Sequence, residues 1–334
     1  MKNIKKLISK DDLIFIAGHK GMVGKSIFKE LKNKGYKNLI TVSKKDLDLR
    51  SKSKVADWFK ENKPNVVVIA AAKVGGIEAN KNYPTEFLLD NLIIQNNVIE
   101  SAWRNNTKRL LFLGSSCIYP KFAKQPITEE ELLTSSLEKT NESYAIAKIA
   151  GLQLCKSLRY QYGFDAISLM PTNLYGPGDN FDLSNGHVLA ALIKKFCDAK
   201  SKSDLEVKCW GSGKPFREFL HVNDLAKACI FCLENWNPKD SQSPRDENNN
   251  PLTFLNVGTG KDISIKELAI LIAEITDYSG EIIWDKTKPD GTPKKLLDIS
   301  RINNLGWEAK ISLREGLEST IEHYKNSKQN THAF

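Results

Sequence analysis

Five short runs of mostly apolar residues punctuate the first half of the chain, at 13–17, 38–42, 66–70, 109–113 and 166–170. Each is unbroken rather than alternating and too short for a buried helix. This is the pattern of a parallel strand covered on both faces. Between the runs lie stretches with apolar residues at helical spacing: one behind residue 24 reaching Leu31, one from Pro84 to about Trp103, and one from Ser143 onward. Strands alternating with helices predict a doubly wound α/β parallel sheet. Beyond residue 174 the texture changes. A polar loop at 180–186 holds His187 at its far end, a short strand is predicted at 207–210, and a proline-flanked polar loop at 241–250 is expected to be mobile. Ser264 with Glu267, and Ser312 with Glu315, read as capping boxes ahead of two apolar helices. The chain therefore divides into a doubly wound domain over 1–174, with later returns near 220–258, and a smaller α/β domain over 175–334.

The first strand runs into Gly18-His19-Lys20-Gly21-Met22-Val23-Gly24 and then a helix. Glycines at a strand-to-helix turn let the backbone approach a pyrophosphate, and the helix N-terminus offers N–H donors. The spacing is G-x-x-G-x-x-G rather than G-x-G-x-x-G, so the strand and helix around it carry as much weight as the glycines. After the second strand, where a carboxylate would bind an unphosphorylated ribose, stand Val42-Ser43-Lys44-Lys45. Lys44 and Lys20 suit a 2′-phosphate, which favours NADP over NAD; the bland alternative is two more surface lysines.

The fourth strand empties into Gly114-Ser115-Ser116-Cys117, at the carboxyl edge where ligands of open parallel sheets bind. Tyr144 and Lys148 stand four apart on one helical face, with Thr140 or Asn141 available as the cap. An ammonium beside a phenol favours phenolate and makes Tyr144 a plausible general acid for a carbonyl oxygen. Spacing alone proves little, because a chain this rich in lysine yields about one such pair by chance. The pair gains meaning from the dinucleotide loop and the hydroxyl cluster around it.

With 334 residues, 41% of them hydrophobic and 27% charged, the chain has the composition of an ordinary globular protein. Its net charge of +9 comes from scattered lysines, with no basic arm or aromatic interleaving to indicate nucleic acid. No segment has the apolar length of a membrane span or a signal-peptide core, so a cytoplasmic location is expected. The six cysteines are then expected to be reduced. Cys229 and Cys232 have redox-motif spacing but sit in an apolar helical stretch, and no cysteine–histidine cluster offers a metal site.

Taken together, these residues resemble the nucleotide-sugar enzymes of the extended short-chain dehydrogenase/reductase superfamily, and within it the GDP-L-fucose synthase family. The matching stretches are AGHKGMVG (17–24), AAAKVGGI (70–77), FLGSSCIYPKFAKQ (112–125), YAIAKIAG (144–151), PTNLYG (171–176), WGSG (210–213), REFLHV (217–222) and KPDGTPKKLLD (288–298). The resemblance implies a Rossmann sheet of the extended type, NADP(H) as cofactor, and a GDP-4-dehydro-6-deoxy-mannose substrate that is epimerised at C3 and C5 and then reduced at C4. It also implies a homodimer in which the helices at 84–103 and 144–162 of two subunits form a bundle.

The implied cofactor residues are Gly18 to Gly24 (including His19, Lys20, Gly21, Met22 and Val23), Lys44, Leu113, Gly114, Ser115, Ser116, Lys148, Pro171, Thr172, Asn173, Leu174 and His187. Lysines at 20 and 44 replace the arginines common in the family, keeping charge but not bidentate geometry. Inverting a carbon requires a base on one face of the sugar and an acid on the other, and by resemblance Cys117 is the base and His187 the acid. Tyr144 protonates the C4 alkoxide, Lys148 binds the nicotinamide ribose and lowers the phenol's pKa, and Ser115 holds the carbonyl oxygen, with Ser116 as a neighbouring alternative. Lys195, Trp210, Arg217 and Asp290 are expected on the GDP-sugar; a core tryptophan is the bland reading of Trp210. A redox-neutral GDP-mannose 3,5-epimerase and a non-catalytic cofactor-binding protein of the same fold are the rival readings.

Overall fold

The computed structural model describes residues 6–183, 186–288 and 290–331. In chain order the first half runs β1 (Ile14–Ala17), α1 (Met22–Asn33), β2 (Leu39–Ile40), α2 (Lys52–Asn62), β3 (Val66–Ile69), α3 (Ile77–Asn82), α4 (Pro84–Arg104), β4 (Arg109–Leu113), α5 (Glu142–Tyr162) and β5 (Ala166–Pro171). The second half adds β6 (Asn173–Tyr175), α6 (Val188–Lys202), β7 (Glu206–Trp210), β8 (Phe216–His221), α7 (Val222–Asn235), β9 (Phe254–Val257), β10 (Asp262–Ser264), α8 (Ile265–Ile275), β11 (Glu281–Asp285), β12 (Lys294–Lys295), α9 (Ser300–Asn304) and α10 (Leu313–Thr331).

Six strands form one parallel sheet in the order β2-β1-β3-β4-β5-β9. Side chains alternate between its faces, and both faces are dry. Ile14, Ile16, Val66, Val68, Leu111 and Ile167 pack with Ile27 and Leu31 of α1 and Leu225, Cys229 and Leu233 of α7. Phe15, Val67, Ile69, Leu110 and Phe112 pack on the other side with Phe59 of α2, Val98 of α4 and Leu152 of α5. Each such side chain contributes about 1.5–3 kcal/mol by leaving water, which is why these runs read as strands at all. Cys229 and Cys232 are fully buried members of this core.

β1 connects through α1 to β2 on one side, and the chain then returns past β1 to place β3 on the other. The carboxyl ends of β1 and β3 therefore flank a crevice where the winding reverses, and the glycine loop opens into it. β8 lies between β10 and β12, pairs also with β6, and so joins the end of β5 to the later segments. A third apolar cluster, around Phe196, Leu268, Ile272 and Leu317, holds α6, α8 and α10 together. β7 and β11 make a separate parallel pair.

Two local expectations are revised. β2 is two residues long rather than five, because Ser43 and Asp46 close a turn directly behind it. Asn141 occupies the N-cap of α5 but its side chain makes no capping bond; the Glu138 carboxylate instead accepts from the Thr140 N–H. The polar loop at 241–250 is organised around Asp246, whose carboxylate accepts from the N–H groups of Asn248 and Asn250. Both capping boxes are present. No helix among the described residues is long and apolar enough to cross a membrane.

Candidate active site

Gly18 adopts φ +90°, and a Cβ there would lie 2.6 Å from the Ala71 backbone nitrogen. Only glycine lets the loop pass this close to the end of β3. Gly24 is equally constrained, since a Cβ would meet the Gly18 carbonyl oxygen at 2.2 Å. α1 starts behind Gly21 with no side-chain cap and no acidic residue in its first turn. Its leading N–H groups therefore face the crevice unsatisfied by protein, in a glycine-walled cradle that fits a pyrophosphate. Beside it, an open pocket is lined by His19, Lys20, Lys25, Phe28 and Thr41. Burial, and then the Lys20 charge, push the His19 pKa down. Lys44 lies in the turn behind β2, its charge acting on Asp48. The set of cations and the absence of a carboxylate in that pocket fit a phosphorylated ribose.

At the end of β4 the chain makes a single 3-10 turn over Ser116–Ile118. The Ser115 hydroxyl caps it, accepting from the Cys117 N–H at 3.2 Å. Ser115 also stands beside the Tyr144 phenol and eases its ionisation. Burial drives the phenol's pKa up, the neighbouring Cys117 sulfur adds to the rise, and the Ser115 hydroxyl opposes it. Phe87 of α4 meets the Tyr144 ring edge-on at 6.4 Å between centroids and fixes its attitude. Lys148 is buried; its Nζ donates 2.9 Å to the Leu113 carbonyl and lies 5.8 Å from the Tyr144 ring. Burial lowers its pKa to about 8. The expectation that Lys148 acts on the phenol is therefore qualified: the ammonium's hydrogen bond goes to the strand, and burial sets the phenol's proton affinity. Ser116 is buried behind this group, which leaves Ser115 as the hydroxyl facing Tyr144.

Cys117 is partly exposed, whereas the other five cysteines are buried. Lys295 of β12 donates to its sulfur at 3.6 Å. Arg217, one strand over on β8, also carries its charge to Cys117 and to Asp290. His187 forms the N-cap of α6 and is open to the cleft. Surrounding protein, and secondly the Lys295 charge, lower its pKa. The thiol thus neighbours the phenol, and Lys295 links the thiol to the imidazole.

Trp210, at the end of β7, is flanked by two ammonium groups, Lys195 at 5.4 Å and Lys288 at 4.8 Å from the ring centroid. It is 43% exposed, so it is a surface platform and not the core tryptophan of the alternative reading. Lys195 also donates to the Lys208 carbonyl at 2.7 Å. Asp290 accepts from both the N–H and the hydroxyl of Ser212 at 2.7 Å, which ties the glycine turn behind Trp210 to the loop ahead of β12. The Arg217 guanidinium donates to the Asp290 carbonyl at 3.4 Å. Thr172 and Asn173 spend their side chains on the Glu218 carbonyl, so Pro171, Thr172, Asn173 and Leu174 bring chiefly backbone to the cleft.

Sequence reasoning missed Lys295, Lys288, Lys25 and Thr41. The first two lie inside KPDGTPKKLLD, where only Asp290 carries an expected role. The available signal was strand alternation, which sends Lys294 to Asp262 and Lys295 to the opposite face. Among the described residues no group of histidine, cysteine and carboxylate side chains could hold a metal ion.

The profile of the NAD dependent epimerase/dehydratase family matches residues 14–245. GDP-L-fucose synthase 1 of Arabidopsis thaliana is 50% identical over 96% of this chain and 95% of its own length. GDP-L-fucose synthase of Escherichia coli K12 is 50% identical over 92% and 95%. The NADP-bound GDP-L-fucose synthetase of Naegleria fowleri superposes with a TM-score of 0.85 at 25% identity, covering 98% of both chains. A dinucleotide cradle, a Ser115–Tyr144 pair with Lys148 behind it, and end-to-end likeness at half identity converge on one assignment: the chain belongs to the GDP-L-fucose synthase family, within the NAD dependent epimerase/dehydratase family.

Proposed function

We propose that this chain converts GDP-4-dehydro-6-deoxy-D-mannose to GDP-L-fucose, by epimerisation at C3 and C5 followed by reduction of the 4-keto group. The observation that carries this reading is the nearness of Cys117 to the Ser115–Tyr144 pair: its backbone N–H donates to the Ser115 hydroxyl, and its sulfur acts electrostatically on the phenol. A reductase alone requires the hydroxyl and the phenol; a thiol beside them supplies the extra proton-transfer group that epimerisation demands. Residues 1–174, with the returns near 220–258, hold the cofactor, and residues 175–334 hold most of the GDP-sugar.

The glycine loop from Gly18 to Gly24 would hold the NADP(H) pyrophosphate, Lys20 and Lys44 its 2′-phosphate, and Lys148 the nicotinamide ribose. When bound, NADPH supplies the hydride that reduces C4. Ser115 orients the ketone, and donors aimed at developing oxyanion charge are worth several kcal/mol. The ketone acidifies the neighbouring C–H bonds, Cys117 removes a proton from one face of the ring, and His187 returns one to the other. Tyr144 then gives its proton to the C4 oxygen. A phenol whose proton is held tightly by burial stays protonated at neutral pH and is ready for that step. Arg217 serves the diphosphate with its fork of donors, and Trp210 presents a flat face to the nucleotide.

α4 and α5 carry the exposed apolar residues Leu89, Ile146 and Tyr162, the surface through which two subunits would form a homodimer. The decisive experiment follows NADPH absorbance with GDP-4-dehydro-6-deoxy-mannose. Stoichiometric oxidation with formation of GDP-L-fucose supports the assignment. Epimerisation without oxidation indicates a redox-neutral epimerase, and absence of both indicates a non-catalytic cofactor binder.

A further inference from the structure

β12 is only two residues long, yet it is clamped on both sides. Its partner β8 places Lys294 opposite Phe216 and Lys295 opposite Arg217. The buried Glu218 carboxylate accepts from the Leu297 N–H at 3.0 Å, and Gln125 Oε1 accepts from the Leu296 N–H at 2.8 Å. Ile127 donates to the Leu296 carbonyl and receives from the Asp298 N–H, both at 2.8 Å. Glu218 is itself held by the N–H groups of Thr259 and Gly260. The backbone under Lys295 therefore has little freedom, and alternation along the strand separates the two lysines. Lys294 reaches Asp262 at 3.2 Å, whereas Lys295 turns into the cleft with its Nζ 3.6 Å from Cys117 Sγ. Among the described residues Lys295 forms no ion pair with a carboxylate. Its nearest acceptor is sulfur.

We propose that Lys295 is a positioning residue for the epimerisation steps: its ammonium donates to the Cys117 sulfur and holds it, next to a fixed positive charge, aimed at the sugar ring. A thiolate is the proton-accepting form of cysteine, and an adjacent cation favours it over the thiol. Arg217 stands in register beside Lys295 and adds positive charge, while burial keeps the neighbouring Tyr144 phenol protonated, so it adds no negative charge beside the sulfur. The same ammonium acts on His187, disfavouring a second positive charge there. Lys295 thus biases both members of the proton-transfer pair from one fixed point. The inference rests on the epimerase reading of Cys117 and deepens it.

The test uses the full chain with NADPH bound, as wild type, Lys295→Met and Lys295→Arg. The first readout is alkylation of Cys117 by iodoacetamide at pH 7, with Cys117→Ser as the blank. The other five cysteines are buried, so the signal belongs to one thiol. The second is solvent deuterium incorporation at C3 and C5 of GDP-4-dehydro-6-deoxy-mannose. We expect alkylation to slow about tenfold in Lys295→Met and to be largely kept in Lys295→Arg, with exchange following the same order and NADPH affinity unchanged. Equal alkylation in wild type and Lys295→Met overturns the proposal. So does a loss that Lys295→Arg shares in full, since that marks a structural role. Alkylation requires no sugar, so a wild-type protein that fails to exchange deuterium refutes the assigned reaction while the alkylation series still decides the lysine's role.

Discussion

Lys148 Nζ donates a 2.9 Å hydrogen bond to the carbonyl oxygen of Leu113, the last residue of β4. The bond fastens the middle of α5 to the strand that delivers Ser115, and so sets the phenol of Tyr144 against the serine hydroxyl. It leaves a buried ammonium facing a dipole, with no carboxylate among its hydrogen-bond partners, and burial lowers its pKa to about 8. The ammonium form is complete well below pH 8 and is lost as pH rises through it. Reduction measured as kcat/KM should accordingly fall above about pH 8, and Lys148→Met should lose roughly 10²–10³-fold in kcat at pH 7. A variant that retains wild-type kcat would remove Lys148 from the reductive step.

Cys117→Ser keeps the backbone donor to Ser115 and alters only the sulfur. It should retain NADPH binding and abolish deuterium incorporation at C3 and C5, a loss of at least about 10²-fold. Mass spectrometry of the recovered sugar nucleotide in D₂O decides the point; normal incorporation excludes the thiol.

His187 has its pKa lowered by its surroundings and by Lys295, so imidazolium accumulates only below the ordinary histidine range. If it is the donor, deuterium exchange should increase as pH falls from 8 towards 6, and His187→Gln should flatten that limb. Exchange that rises with pH instead would reverse its role to base.

Lys20 lines the pocket beside the glycine loop, and Lys44 sits in the turn behind β2. Replacing either by alanine should cut the NADPH-over-NADH preference about tenfold, the value of one hydrogen bond to a charged group. Steady-state kinetics with both cofactors reads this directly, and an unchanged ratio would acquit the lysine.

Leu89 on α4 is 51% exposed and Ile146 on α5 is 44% exposed. Sedimentation equilibrium at micromolar concentration should give a dimer for wild type and a monomer for Leu89→Glu combined with Ile146→Glu. A monomeric wild-type protein would refute the shared-helix interface.

The amino-acid order alone determined the local features of this molecule. The runs at 66–70 and 166–170 are strands because unbroken apolar stretches of that length have no other way to leave water. Gly18 marks the cradle because its backbone conformation excludes a side chain. The capping box of Ser264 and Glu267 is written in two positions three apart. What tertiary structure decided is pairing at a distance. Cys117 and Lys295 are 178 residues apart, and neither carries a mark of the other. They meet because β12 adds to β8 in one register, held by Glu218 and Gln125, and a slip of one residue would present Lys294 instead. The same holds for the bond from Lys148, which a helical-face argument aimed at the phenol and packing delivered to Leu113. Hydrophobic patterning and turn chemistry act over a few residues and survive in the one-dimensional order. Electrostatic contacts across segments depend on strand register and burial, which exist only once the sheet has formed.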